Sequence, residues 1–199
     1  MMAREELVIE GIVTTINADG EVNIAPMGPK VNRQFRHMTL RPFKTSQTYK
    51  NLKQHPEGVF HVVDDVLLLA QTAVGQISEQ PMMLMSDHVN GYYLRDACRY
   101  YAFKVDRMDD SADRAEIDVS IVWHVNMREH FGFNRAMYAV LEASILATRI
   151  HMLPAEQIDQ ELVKLQPLVD KTGGNREKEA FAFLQQYVLA ERSKPRSES

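Results

Sequence analysis

The chain has 199 residues, 45% apolar and 25% charged, with a formal net charge of −4. These are values of a soluble globular protein that buries one sizeable core, as one domain or one domain with a helical appendage. With no basic stripe, and with apolar runs such as VLLLA (66–70) too short to cross a bilayer, neither nucleic acid nor a membrane is an expected partner.

The start, MMAREELVIEG, carries acids where a secretion signal has a basic and then an apolar region. Cys98 stands alone, so no internal disulfide forms, and a cytoplasmic, reducing setting is expected. Its surroundings, LRDACRYYAF, predict a packed thiol rather than a nucleophile.

In chain order, residues 7–17 (LVIEGIVTTIN) are rich in β-branched side chains, and Asp19-Gly20 supplies a tight hairpin to a return strand at 22–26. Residues 27–36, with Gly28, Pro29, Lys30, Arg33 and Arg36, read as a loop. Extended chain resumes at 37–43, a short helix is predicted at 47–54 and a strand at 57–65. The strongest strands are 98–108 and 115–126. In the first, Tyr101, Phe103 and Val105 alternate with Ala102, Lys104 and Asp106; in the second, Ile117, Val119, Ile121, Trp123 and Val125 alternate with mostly polar neighbours.

From Phe133 the period becomes helical: 133–153 ends at Pro154, a second helix is kinked or interrupted near Pro167 and closed by Gly173-Gly174, and a third covers 175–193. Strands joined by hairpins, then helices, predict a mainly β fold with α: an antiparallel split β-barrel over 1–130, helices packed on it over 131–193, and a disordered tail at 194–199. Neither GxGxxG nor GxxxxGK[ST] occurs, which excludes the nucleotide-binding signatures.

One stretch has unusual chemistry. RPFKTSQTYKNL (41–52) places the cations Arg41 and Lys44 beside the hydroxyls of Thr45, Ser46, Thr48 and Tyr49, where a helix begins. The first N–H groups of a helix lack internal partners, and the positive end of its dipole favours an anion such as phosphate. The plainer reading is that Ser46 or Thr45 caps the helix while the cations are solvated. Upstream, Ala25-Pro26-Met27-Gly28 is small and partly without N–H donors, suited to lie flat against a planar ring or to serve as an ordinary turn.

Together TTINADGEVNIAPMG (14–28), RPFKTSQTYKNL with VVDDV (62–66), and FGFNRAMYAVLEASILATR (131–149) resemble the FMN-binding split-barrel superfamily of flavin reductase-like and pyridoxamine-phosphate-oxidase-like proteins. The likeness is nearest to an archaeal and C1-metabolising bacterial branch of unassigned function. The resemblance implies FMN as cofactor, with Ala25, Pro26, Met27 and Gly28 at the ring and Arg41, Lys44, Thr45, Ser46 and Thr48 at the phosphate. It also implies a homodimer with the flavin near the interface, and NAD(P)H or another reductant as partner. An oxidoreductase follows as the expected activity, with a non-catalytic carrier, sensor or relay as the alternative.

The resemblance leaves two readings for Asn134 and Arg135 in HFGFNRA. They meet the flavin or a substrate acid, or Arg135 pairs with Glu142 or Asp118 and anchors the helix. The seven histidines show no ligand spacing, so no metal is expected. Asp64 and Asp65 read as a turn or helix cap, with one of them lining the site as the alternative. The methionines of PMMLMSDH (81–88) read as core filling, with a pocket flank as the alternative.

Overall fold

The computed structural model describes residues 7–194, so the expected tail lies, from residue 195 on, outside the described residues. The chain forms two compact units: residues up to 63 with 79–130, and 64–78 with 131 onward.

The first unit is an eight-stranded antiparallel sheet. Its order is β1 (Leu7–Val8), β4 (Lys30–Val31), β5 (His37–Leu40), β10 (Glu116–Asn126), β9 (Arg99–Asp109), β6 (Glu57–Val62), β2 (Gly11–Ile16), β3 (Val22–Met27). Met27 on one edge strand and Val31 near the opposite edge belong to one core cluster with Val13, Met38, Phe60, Tyr101 and Ile117. A flat sheet cannot bring its edges to one core, so the sheet is curled into the expected split barrel. Two register shifts in the β9–β10 ladder, at Asp118/Val119 and Ile121/Trp123, help to bend it.

The β2–β3 hairpin forms as its sequence predicts. Asn17 Oδ1 accepts the N–H groups of Asp19 (3.0 Å) and Glu21 (2.8 Å), and Gly20 takes φ +82°, a left-handed conformation that glycine adopts without steric cost. The loop expected at 27–36 contains the two-residue strand β4, paired with β1 and β5.

Helix α1 (Gln47–Gln54) plugs the inner side of the curl, with Tyr49 and Leu52 in the core and Asn51 Nδ2 donating to Thr15 Oγ1 at 3.0 Å. The other side is covered by the hairpin of β7 (Met83–Met85) and β8 (Tyr92–Leu94), which the sequence reading did not separate out. The buried His61 ties it down: its Nδ1–H donates to the Ile12 carbonyl (3.0 Å) and its Nε2 accepts the Leu94 N–H (3.0 Å). Burial pushes His61 down to about 4, against the partial opposition of the Ile12 carbonyl. The expectation of core filling fails for the methionine run, since Met82 and Met85 are 53% and 70% exposed. Met82 precedes β7 and Met85 ends it, and a strand of three residues in a two-stranded hairpin has little protein to cover it on either face.

The second unit holds α2 (Val66–Ala73), α3 (Arg135–Thr148), α4 (Ala155–Thr172) and α5 (Asn175–Arg192). The helical unit thus begins earlier in the chain than residue 131, because VLLLA opens α2 and packs into the helical core. Asp65 caps α2, accepting from the N–H groups of Leu67 (3.1 Å) and Leu68 (3.0 Å), as the capping reading has it. The helix is not interrupted near Pro167: α4 runs on through it as one helix. Both Val163, whose carbonyl loses its donor, and Pro167 lie on the exposed face, where water substitutes. At the α4–α5 junction a Cβ on Gly173 would stand 2.7 Å from the Val169 carbonyl oxygen, so only glycine fits.

Candidate functional site

The two quoted stretches of the sheet unit do meet. Asn23 Nδ2, on β3, donates to Thr48 Oγ1, on α1, at 3.1 Å. Two residues further along the same face lies Ala25, paired with Val13. Ala25, Pro26 and Met27 are not a loop but the end of β3, an edge strand, where Pro26 sacrifices no ladder hydrogen bond. Met27 is buried in the core. Gly28 follows, where a Cβ would lie 2.9 Å from both Glu10 carboxylate oxygens.

The 41–48 segment combines both sequence readings. Ser46 is the cap: its Oγ accepts the Tyr49 N–H at 3.3 Å and donates to the Phe43 carbonyl at 2.7 Å. The N–H groups of Gln47 and Thr48, by contrast, have no acceptor among the described residues. Arg41 Nε is buried without a hydrogen-bond partner. Lys44 Nζ donates to the Asp110 carbonyl at 2.9 Å, leaving two of its three N–H donors. Thr48 is buried and Thr45 exposed.

The β9–β10 turn buttresses this segment, which the sequence reading missed. Asp113 accepts the Lys44 N–H through its carbonyl (3.1 Å), and the Arg114 guanidinium lies 3.9 Å from the Phe43 ring centroid. Asp110 accepts from the Tyr49 hydroxyl (2.7 Å) and from Lys53 Nζ (3.1 Å), and these two donors hold its carboxyl below the usual range. These partners are some 60 residues away in sequence, and no local pattern announces them.

Asn134 and Arg135 lie in the helical unit. Asn134 caps α3, its Oδ1 accepting from Ala136 (2.8 Å) and Met137 (3.2 Å) while its Nδ2 donates to the Thr172 carbonyl (3.1 Å). It therefore fastens α3 to α4. Arg135 is exposed, and Asp118 takes Arg107 (3.1 Å) and Thr39 (2.9 Å) instead. Asp64 accepts the Phe131 N–H at 3.0 Å, and Asp65 accepts from Arg176 Nη2 (2.7 Å) and Nε (3.2 Å).

A cavity of ≈ 270 Å³ on the β4–β5–β10 side, lined by Lys30, Asn32, His37, Thr39, Asp106 and Asp118, contains none of the candidate residues. Among the described residues no group of three or more His, Cys, Asp or Glu is placed to hold a metal, and no helix is long and apolar enough to cross a membrane.

Two family models cover this architecture: the N-terminal domain of a protein of unknown function, DUF447, over residues 9–127, and the DUF447 C-terminal model over 134–186. The chain belongs to the DUF447 family. Among solved structures, this DUF447 protein is similar to an FMN-bound protein of Methanosarcina mazei that carries the same family model. The TM-score is 0.78 at 22% identity, over 92% of this chain and 96% of that one. It is also similar to the 2-nitrobenzoate 2-nitroreductase of Pseudomonas fluorescens (TM-score 0.51, 16% identity, 63% and 66% of the two chains). A third is nitrilotriacetate monooxygenase component B of Bacillus cereus (0.50, 16%, 66% and 74%). At these identities the likeness is one of fold, and the fold is the split barrel.

Proposed function

We propose that this DUF447 protein binds FMN and acts as a flavin-dependent oxidoreductase. The observation that carries the reading is the unspent donor set of the 41–48 segment: the free N–H groups of Gln47 and Thr48 and, six residues before the helix, the unpartnered, buried Arg41 Nε. A phosphate monoester satisfies such donors and offsets the cost of burying them unpaired. The FMN-bound Methanosarcina mazei neighbour supports the choice of anion.

In this reading Arg41 and Lys44 neutralise the phosphate, with Thr45 adding a hydroxyl. Ser46 and Thr48 hold the helix start in place, since their hydroxyls already serve Phe43, Tyr49 and Asn23. The edge backbone of Ala25, Pro26, Met27 and Gly28 lies against the ring. Asn134, with both side-chain polar atoms engaged, serves the helix, and Arg135 remains an exposed cation for a bound acid. Bound FMN supplies the exchange of a hydride or of electrons; the chain supplies position and charge. A reductant such as NAD(P)H, a homodimeric assembly and a cytoplasmic location complete the proposal.

Binding without turnover, as carrier, sensor or relay, is the second reading. It is favoured by the adjacent carboxylates Asp64 and Asp65, which serve backbone and Arg176 in the helical unit rather than a reacting group. The test is an absorption spectrum of the purified protein with mass analysis of released cofactor, followed by NAD(P)H oxidation at stoichiometric flavin. A colourless protein that ignores added FMN ends the first reading, and bound flavin without turnover selects the second.

A further inference from the structure

Directly paired residues of antiparallel strands share a face. The pairs Ala25↔Val13, Val13↔Phe60, Phe60↔Tyr101 and Tyr101↔His124 therefore form one row across the inner face of the curl. Arg99, two residues before Tyr101 on β9, lies on that face about 7 Å further along the strand.

Over these two side chains sits Phe35, from the loop between β4 and β5. Its ring stacks on Tyr101 with centroids 4.8 Å apart and planes 10° from parallel, and Arg99 Cζ lies 5.3 Å from the Phe35 centroid. His124 also stacks against Tyr101, with centroids 5.9 Å apart.

Three features of this arrangement are unspent. Tyr101 is 5% exposed, yet its hydroxyl has no hydrogen-bond partner among the described residues. Burial raises the Tyr101 phenol above its ordinary value, with Arg99 opposing, so the group stays a neutral O–H donor. Arg99, half-buried, has no carboxylate partner among the described residues and meets only the ring. Phe35 holds its ring there from φ +52°, the one non-glycine residue at positive φ among those described. A bulky side chain seldom takes that conformation unless its surroundings impose it.

We propose that the slot filled by the Phe35 ring is the binding site of a planar aromatic carboxylate, which displaces Phe35, stacks on Tyr101 and pairs with Arg99. A guanidinium fork matches a carboxylate, and ring faces match a flat ligand. That the ligand is the flavin's reaction partner rests on the reading above; the site itself does not.

The probe is benzoate, with benzamide as its neutral isostere, titrated by calorimetry into flavin-free and FMN-loaded full-length protein. Benzoate is expected to bind at least tenfold tighter than benzamide. Arg99→Gln should lose about tenfold or more in benzoate affinity. Phe35→Ala should bind about fivefold tighter, since no ring competes for the slot. The Lys44→Ala/Ser46→Ala double variant should bind benzoate as wild type does while releasing FMN. Equal binding of benzamide, an undiminished Arg99→Gln, or no gain in Phe35→Ala each overturns the proposal. Because the amide comparison uses wild-type protein, a misfolded variant cannot mask the answer. A protein that never takes up FMN but discriminates benzoate from benzamide loses the flavin reading and keeps the site.

Discussion

In the helical unit, small residues stand where helices meet (Ala70, Ala136, Ala139, Ala143, Ala147 and Ala180 are all buried), and the capping residues of α2 and α3 also bind neighbouring helices. Asn134 caps α3 and reaches Thr172, while Asp65 caps α2 and takes Arg176. The sheet unit is packed with larger side chains, Phe60, Phe103 and Tyr101 among them, and encloses buried Thr14, Thr15, Asn51 and His61. The sheet unit leaves Arg41 Nε, the first N–H groups of α1 and the polar ends of Arg99 and Tyr101 without hydrogen-bond partners, whereas the buried Arg192 Nε of the helical unit belongs to a guanidinium whose other nitrogens donate to Asp159 and the Ala155 carbonyl. Satisfied polar groups rigidify; unsatisfied ones cost stability and persist where a ligand completes them.

That contrast is open to measurement, beginning with the largest effect. Phe181→Ala, in the helical core and 1% exposed, should cost about 3–5 kcal/mol in chemical denaturation. The folded variant should keep wild-type affinity for FMN and benzoate. A ligand-affinity loss of tenfold in well-folded Phe181→Ala would show that the helical unit contributes to binding.

Next comes pH. The folded-state value of His61, about 4, lies below the ordinary 6.5, so the unfolded chain binds the additional proton. The stability contribution is therefore complete above pH 6.5 and is lost as pH falls toward 4, by up to about 3 kcal/mol. Denaturation midpoints measured across that window should fall with acidification, and His61→Gln should flatten the slope.

Removing Lys44 and Ser46 together should weaken FMN about 100-fold, the loss of a charge-assisted contact and of the helix start that presents the N–H donors. Fluorescence titration of the flavin reads it, and unchanged affinity would show that the anion site is misplaced. The smallest effect is expected at Asn134→Ala: about 1 kcal/mol of stability, with FMN affinity within a factor of about two.

Much of the frame was legible from short-range pattern. The Asp19-Gly20 hairpin, the alternation of 98–108 and 115–126, and the 47–54 helix depend on neighbours a few residues apart, and the structure reproduces them. The cap at Ser46 and the charges of Arg41 and Lys44 could be read in the same way. Other features could not: the run at 66–70 is apolar all round, and nothing local says that it belongs with α3 and α5. The exposed methionines at 82 and 85 were misread because hydrophobicity alone does not reveal how little of a short hairpin is covered.

By itself, then, the sequence determined the periods, caps and turns, and with them a curled antiparallel sheet followed by helices. Only the tertiary structure decided that Asp110, Asp113 and Arg114 brace the start of α1, and that Phe35 reaches over Arg99 and Tyr101 more than sixty residues away. The physical reason is that periodicity is a property of a few adjacent residues, whereas the partner of a side chain is chosen by strand register and loop closure. Those are settled only when the whole sheet forms and every buried group has competed for the same few neighbours.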